Sequence, residues 1–278
     1  MKNSIQKLTL LIPVLVLLLS FSSCDIIDAP YTEDFVAPPA TSRKVLLEDY
    51  TGHKCPNCPL AAKELDTILK LFPGRVVSIA LHVSEQFAAP SPGLFSYEFR
   101  TATGTTYDDY FEMAQSGLPK GMINRNGYPT QTHKKNYTQW SSLVNSELQK
   151  EPEADIAITT SYDSISRTIS ATIKSRFLKD AEGDFYLCVL YTEDSIVQPQ
   201  VFPSNTYKAD YVHNHALRGN LSSTWGDVIA VNPAASEEAT KTYSIVILPA
   251  AVAKNCRVIA YIYNNATKEV IQADEADF

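Results

Sequence analysis

Cys55 and Cys58 stand three apart in Thr51-Gly52-His53-Lys54-Cys55-Pro56-Asn57-Cys58-Pro59, a spacing at which two thiols can close a small ring without moving the backbone. The chemistry open to such a pair is thiol–disulfide exchange, in which the thiolate is the reactive form. A thiol at a helix N-terminus feels the positive end of the helix dipole, which favours thiolate. His53 and Lys54 immediately precede Cys55, and cationic side chains there would lower its pKa further. Asp49 lies six residues before Cys55, where a half-buried carboxylate could relay a proton to or from the second thiol.

Regular elements must hold these groups in place. Val45-Leu46-Leu47 is a short apolar run bounded by Gly52, as in a central strand. After Pro59 the apolar residues Ala61, Leu65, Ile68, Leu69 and Phe72 trace one face of an amphipathic helix, which Pro73-Gly74 stops. Pro56 and Pro59 fall in or just before the first turn, where a missing N–H costs least. Arg75 to Val83 is almost continuously apolar, as in a strand covered on both faces. Strand, helix and strand at this spacing predict a right-handed βαβ unit. Residues 84–116 mix aromatics with Pro, Gly and Thr, with a helical stretch at about 107–115; their aromatics read as a small core of their own or as a binding groove. Leu118-Pro119 then opens a short apolar strand that enters a turn at Asn126-Gly127. Asn136-Tyr137-Thr138-Gln139 has the pattern of a capping box, followed by a stripe of Tyr137, Trp140, Val144 and Leu148.

The first 23 residues read as a lipoprotein signal peptide. Lys2 and Lys7 make a positive start, Leu8 to Phe21 is a core of 14 apolar and small residues, and Ser22-Ser23 precede Cys24. That core is shorter than the about 20 residues of a membrane span. Cys24 would be lipidated, and residues 24–42, with Pro30, Pro38 and Pro39, would form a tether. An ordinary cleaved signal peptide is the alternative. The formal charge is −7, and loss of Lys2 and Lys7 makes the exported chain more acidic still. An acidic chain without a basic run argues against nucleic acid as a partner.

From Glu153 onward the character changes to short runs rich in Ile, Val, Thr and Tyr, separated by turn signals, as in an antiparallel sandwich of immunoglobulin-like type. Cys188 and Cys256 fall in or at the edge of such strands. Export permits a disulfide between them, and two buried free thiols are the alternative. His213 and His215 alternate, but neither they nor Cys55 and Cys58 find further ligands at metal spacing, so no metal or other cofactor is assigned.

Strand, Cys-x-x-Cys helix, strand, insertion, Leu-Pro strand and helix is the order of a thioredoxin fold. The whole chain resembles the 28-kilodalton outer-membrane protein (Omp28-related) lipoprotein family of Bacteroidota. The residues that carry the resemblance are Cys24, Tyr50 to Pro59, Leu118-Pro119 with Ile123-Asn124-Arg125, Tyr211 to His215 with Arg218, and Asn264 to Val270. The resemblance to thioredoxins implies Cys55 as attacking thiol, Cys58 as resolving thiol, Pro119 as a cis-proline and Asp49 as the buried carboxylate. Lys54 and Pro56-Asn57 depart from the usual thioredoxin residues, Trp and Gly-Pro. The expected fold is therefore an α/β thioredoxin-like domain at 43–151 followed by an all-β immunoglobulin-like sandwich at 152–278. The expected location is the outer membrane, lipid-anchored, on its periplasmic or cell-surface face. Two functions fit. One is a thiol–disulfide oxidoreductase acting on exported proteins that carry thiols or disulfides. The other is a surface adhesin or receptor for a host or surface ligand, with Cys55–Cys58 as a structural staple.

Overall fold

Residues 42–278 are described by the computed structural model; Cys24, the signal segment and nearly all of the tether lie outside them. The chain enters through β1 (Val45–Thr51), a strand buried along its whole length. Alternation gives its two faces different work. Val45 and Leu47 face a cluster with Ala61, Leu65, Ile68, Trp140 and Val144, whereas Leu46 and Tyr50 face a second cluster with Tyr107, Phe111 and Tyr261. Helix α1 (Cys58–Leu71) follows, with Pro59 in its first turn and Cys58, Ala61, Leu65 and Ile68 buried, the stripe its apolar spacing predicts. β2 (Val76–His82) then runs parallel to β1.

A loop and α2 (Ala102–Phe111), capped by the Thr101 side chain on Gly104 N–H, lead to β3 (Lys120–Ile123), which pairs antiparallel with β1. The Asn136 N–H donates to Gln139 Oε1 in a capping box before α3 (Trp140–Leu148). The rest is β: β4 (Ala154–Asp163), β5 (Thr168–Phe177), β6 (Asp184–Glu193), β7 (Ile196–Phe202), β8 (Thr206–His213), β9 (Ala216–Asn220), β10 (Asp227–Val231), β11 (Glu238–Val246), β12 (Cys256–Asn264) and β13 (Val270–Ala276).

The strand order overturns the expected fold. A single sheet runs β13-β12-β6-β9-β2-β1-β3, with β10 also on β6, so strands from both halves of the chain share one layer. β2 is not the edge of a thioredoxin-like α/β domain; its outer side meets β9 at Ala80–Ala216. An immunoglobulin-like sandwich standing apart is equally missing, because β6, β9, β10, β12 and β13 belong to the large sheet. Sandwich-like packing survives in part: the three-stranded sheet β11-β5-β4 lies against β12 and β13 over a core that includes Ile156, Ile173, Val189, Val258 and Ile262. The physical reason is burial. The βαβ face alone leaves Val77, Ile79 and Leu81 uncovered, and they are buried in one cluster with Leu190, Leu217 and Ile259 from the second half. No helix among the described residues is long and apolar enough to cross a membrane.

Cys188 and Cys256 are both buried and unbonded. They lie on neighbouring strands, but Cys188 pairs with Tyr261 and Cys256 with Glu193, five positions away along β12. An odd offset also puts the two thiols on opposite faces of the sheet. Of the two alternatives the sequence leaves open, the structure has the two free thiols.

Candidate functional site

The Cys-x-x-Cys segment leaves β1 at Gly52, turns, and starts α1 at Cys58. Gly52 is required there, because a Cβ would sit 2.5 Å from the Phe87 carbonyl oxygen. The turn is fixed by backbone hydrogen bonds from Cys55 N–H to Gly52 O and from Lys54 N–H to Phe87 O. Cys55 and Cys58 are joined in a disulfide with a Cα–Cα distance of 5.5 Å. Both residues are buried, at 1 % and 2 % exposure.

Asp49 follows Val45 and Leu47 on the α1 side of β1 and lines a cleft of about 60 Å³ together with Cys58, His82, Tyr211 and His213. Its carboxyl is 2 % exposed and Oδ1 finds no hydrogen-bond partner among the described residues. Desolvation by burial pushes its pKa up to about 8. The expected half-buried carboxylate is thus a fully buried carboxylic acid at neutral pH.

The Leu118–Pro119 peptide bond is cis. Pro119 lines a surface groove of about 490 Å³ with Asn57 of the dithiol turn, Leu60 of α1, Lys120 and Tyr137. The structure therefore brings Asp49, Cys55, Cys58 and Pro119 to one end of α1, and it keeps Cys188 and Cys256 away from them.

His53 departs from expectation. It is buried, both ring nitrogens lack partners among the described residues, and it stacks on Phe95 with centroids 5.5 Å apart. Burial, assisted by the Lys54 charge, lowers its pKa to about 4. It is a neutral aromatic beside Cys55, not a cation. Phe99 sits between histidines, stacked on His82 at 4.2 Å and tilted against His213 at 4.6 Å. Burial lowers His213 to about 4 and His82 well below its usual range. His215 leaves β8 with positive φ and lies 3.4 Å from Asp194. Among the described residues no group of three or more His, Cys, Asp or Glu is arranged to hold a metal. The aromatics of residues 84–116 that flank the disulfide thus pack with histidines, and Phe99 with Tyr97, Ile196 and Ala216 makes a small core.

Sequence reasoning missed Gln200. Its Nε2 donates to Cys55 O at 2.9 Å and to Gly52 O at 3.4 Å from 145 and 148 residues away. A polar residue in a β run carries no local signal for such a contact. Motif residues Asn124 and Arg125 have a structural use. Asn124 accepts from Leu46 N–H and donates to Glu147, and Arg125 clamps Glu48.

The fold resembles that of HBP35 of Porphyromonas gingivalis, at 15 % identity and a TM-score of 0.63, over 86 % of this chain and 76 % of that one. A domain of the outer membrane lipoprotein Omp28 from Porphyromonas gingivalis aligns with 46 % of this chain and 88 % of its own, at 18 % identity and a TM-score of 0.33. No curated protein matches this chain. The family model for outer membrane protein Omp28 matches residues 104–277, a span that holds Pro119, β3 and every later strand and leaves out Cys55 and Cys58. That match covers more than half of the sequence, so the chain belongs to the outer membrane protein Omp28 family, and its place is the outer membrane.

Proposed function

We propose that the chain is a lipoprotein anchored through Cys24 that carries out thiol–disulfide exchange on exported proteins through Cys55 and Cys58. The observation that carries this proposal is Asp49, a buried carboxyl whose Oδ1 has no partner among the described residues, in the same cleft as Cys58. An unpartnered buried carboxyl is costly, and a disulfide that merely staples a turn gains nothing from it. A proton acceptor beside the resolving thiol has a use for it. In the reductive direction the Cys55 thiolate attacks a substrate disulfide, forming a mixed disulfide and releasing one substrate thiolate. The carboxylate form of Asp49, a minority at pH 7 because its pKa is raised to about 8, then takes the proton from Cys58, whose sulfur attacks Cys55 and releases the second substrate thiolate. Two electrons pass to the substrate, and the protein ends as the disulfide seen here. The oxidative direction is the reverse.

A second proposal rests on a different observation. Both cysteines are almost fully buried, as a structural staple in a surface-binding lipoprotein would be. The reduction potential of Cys55–Cys58, measured by equilibration with glutathione and alkylation mass spectrometry, separates the two. A value between about −120 and −270 mV supports exchange, with Cys55→Ser inactive and Cys58→Ser trapping a mixed disulfide; a value below about −300 mV marks a staple and sinks the exchange proposal.

A further inference from the structure

Among the described residues, strands β7 and β8 pair only with each other, forming a two-stranded sheet outside the main one. This hairpin lies over the disulfide turn. Val201 N–H donates to His53 O at 2.9 Å, and the buried Gln200 side chain holds the Gly52 and Cys55 carbonyls. Its inner residues Tyr211 and His213 close the cleft that Asp49 and Cys58 line. The outer side is solvent: residues 203–210 are all exposed, and Tyr207 is 59 % exposed.

The two ends of the hairpin are built alike. Ser195 enters it and His215 leaves it, both in the left-handed region, at φ 61° and 57°. Their N–H groups are held crosswise, Ser195 by Asn214 Oδ1 at 2.9 Å and His215 by Asp194 Oδ1 at 2.6 Å. The root is therefore pinned to the main sheet, where Ala80 N–H also donates to His215 O. The far end touches the dithiol turn through a few hydrogen bonds.

We infer that the β7–β8 hairpin is a gate over Cys55–Cys58, pivoting at Ser195 and His215, with Gln200 as its latch. The inference rests on the exchange function proposed for the pair and supplies what that function lacks in the closed structure, a route for a partner sulfur. A segment held by few contacts opens locally at lower free-energy cost than the fold as a whole. Gln200 is a positioning residue. It acts by holding the turn shut and touches no reacting atom.

The test is the rate at which dithiothreitol reduces the disulfide in the full chain, followed by quench alkylation and mass spectrometry. One dithiothreitol sulfur attacks the protein disulfide and its second closes the ring, so two electrons and two protons pass to Cys55 and Cys58. A gate makes the rate level off at high dithiothreitol, where opening limits. Gln200→Ala then raises the plateau about tenfold, as expected for loss of neutral hydrogen bonds, and speeds amide exchange at Val201 while leaving Leu47 in β1 protected. A rate that stays linear in dithiothreitol for the wild type overturns the gate, whether or not the variant folds. So does a variant that leaves the plateau unchanged, or one that speeds exchange at Leu47 as much as at Val201. The potential and the gate fail separately: a plateau with a potential below about −300 mV would leave the gate and remove the exchange, and linear kinetics in the exchange range would do the converse.

Discussion

Glu48 and Asp49 are neighbours on one strand, equally buried, and treated in opposite ways. Glu48 points to the Tyr107 side of the sheet and is clamped by Arg125, whose Nε and Nη2 donate to its two oxygens at 2.9 and 2.7 Å. The same guanidinium donates to the Tyr261 hydroxyl and lies 4.8 Å from the centroid of the Tyr107 ring. Asp49 points to the α1 side and is left with an unpartnered oxygen beside Cys58. The fold thus satisfies a buried carboxylate on one face and leaves the adjacent one protonated. Arg125 can tie the two halves of the chain together, since Tyr261 comes from β12. Asp49 ties nothing, and the proposed exchange function rests on that difference.

The largest expected effect breaks the paired side. Arg125→Met strands Glu48 as a lone buried charge and should cost about 3–5 kcal/mol of stability by urea denaturation at pH 7. A loss under about 1 kcal/mol would mean that the pair holds nothing. Glu48→Gln added to Arg125→Met should recover part of the loss, because the stranded charge is gone.

The next effect has the opposite sign. Asp49 titrates near 8 when folded and near 3.8 when unfolded, so the folded chain binds the extra proton between those values and stability falls as pH rises from about 4 to about 8. Asp49→Asn removes that slope. It should match the wild type at pH 4 and exceed it by about 6 kcal/mol at pH 9, measured by denaturation at both pH values. A variant less stable than the wild type at pH 9 would show that Asp49 is partnered after all, and the contrast with Glu48 would lapse.

What the sequence made legible follows the range of each contact. The Cys-x-x-Cys turn, the stripe of α1 and the capping box at Asn136 are settled within a dozen residues, and side-chain periodicity reports them. Ala80 meeting Ala216 and Gln200 reaching Cys55 are pairings across more than 130 residues, with nothing local to signal them. The expected thioredoxin-like order failed for that reason. Its local parts form, but the apolar face of β2 needs cover that only the second half of the chain supplies. The charge state of His53 was misjudged in the same way, because a cation beside Cys55 requires solvent, and Phe95 and Phe99 exclude it.

The smallest prediction turns on those histidines. His53 and His213 titrate near 4 in the fold and near 6.5 unfolded. The unfolded chain therefore binds more protons between these values, and stability is lost as pH falls from about 6.5 towards 4. This slope opposes that of Asp49, with which His213 shares a cleft, so the wild type should be most stable near pH 6, where neither kind of buried group is forced towards its charged form. His53→Phe keeps the stack on Phe95 and abolishes its share of the acid slope, a gain of about 2 kcal/mol at pH 4 relative to pH 7. Thermal unfolding across pH 4–9 reads both arms at once. If His53→Phe leaves the acid arm unchanged while Asp49→Asn flattens the alkaline one, the histidine ring is hydrated in solution, and the dry wall beside Cys55 is confined to Phe95 and Phe99.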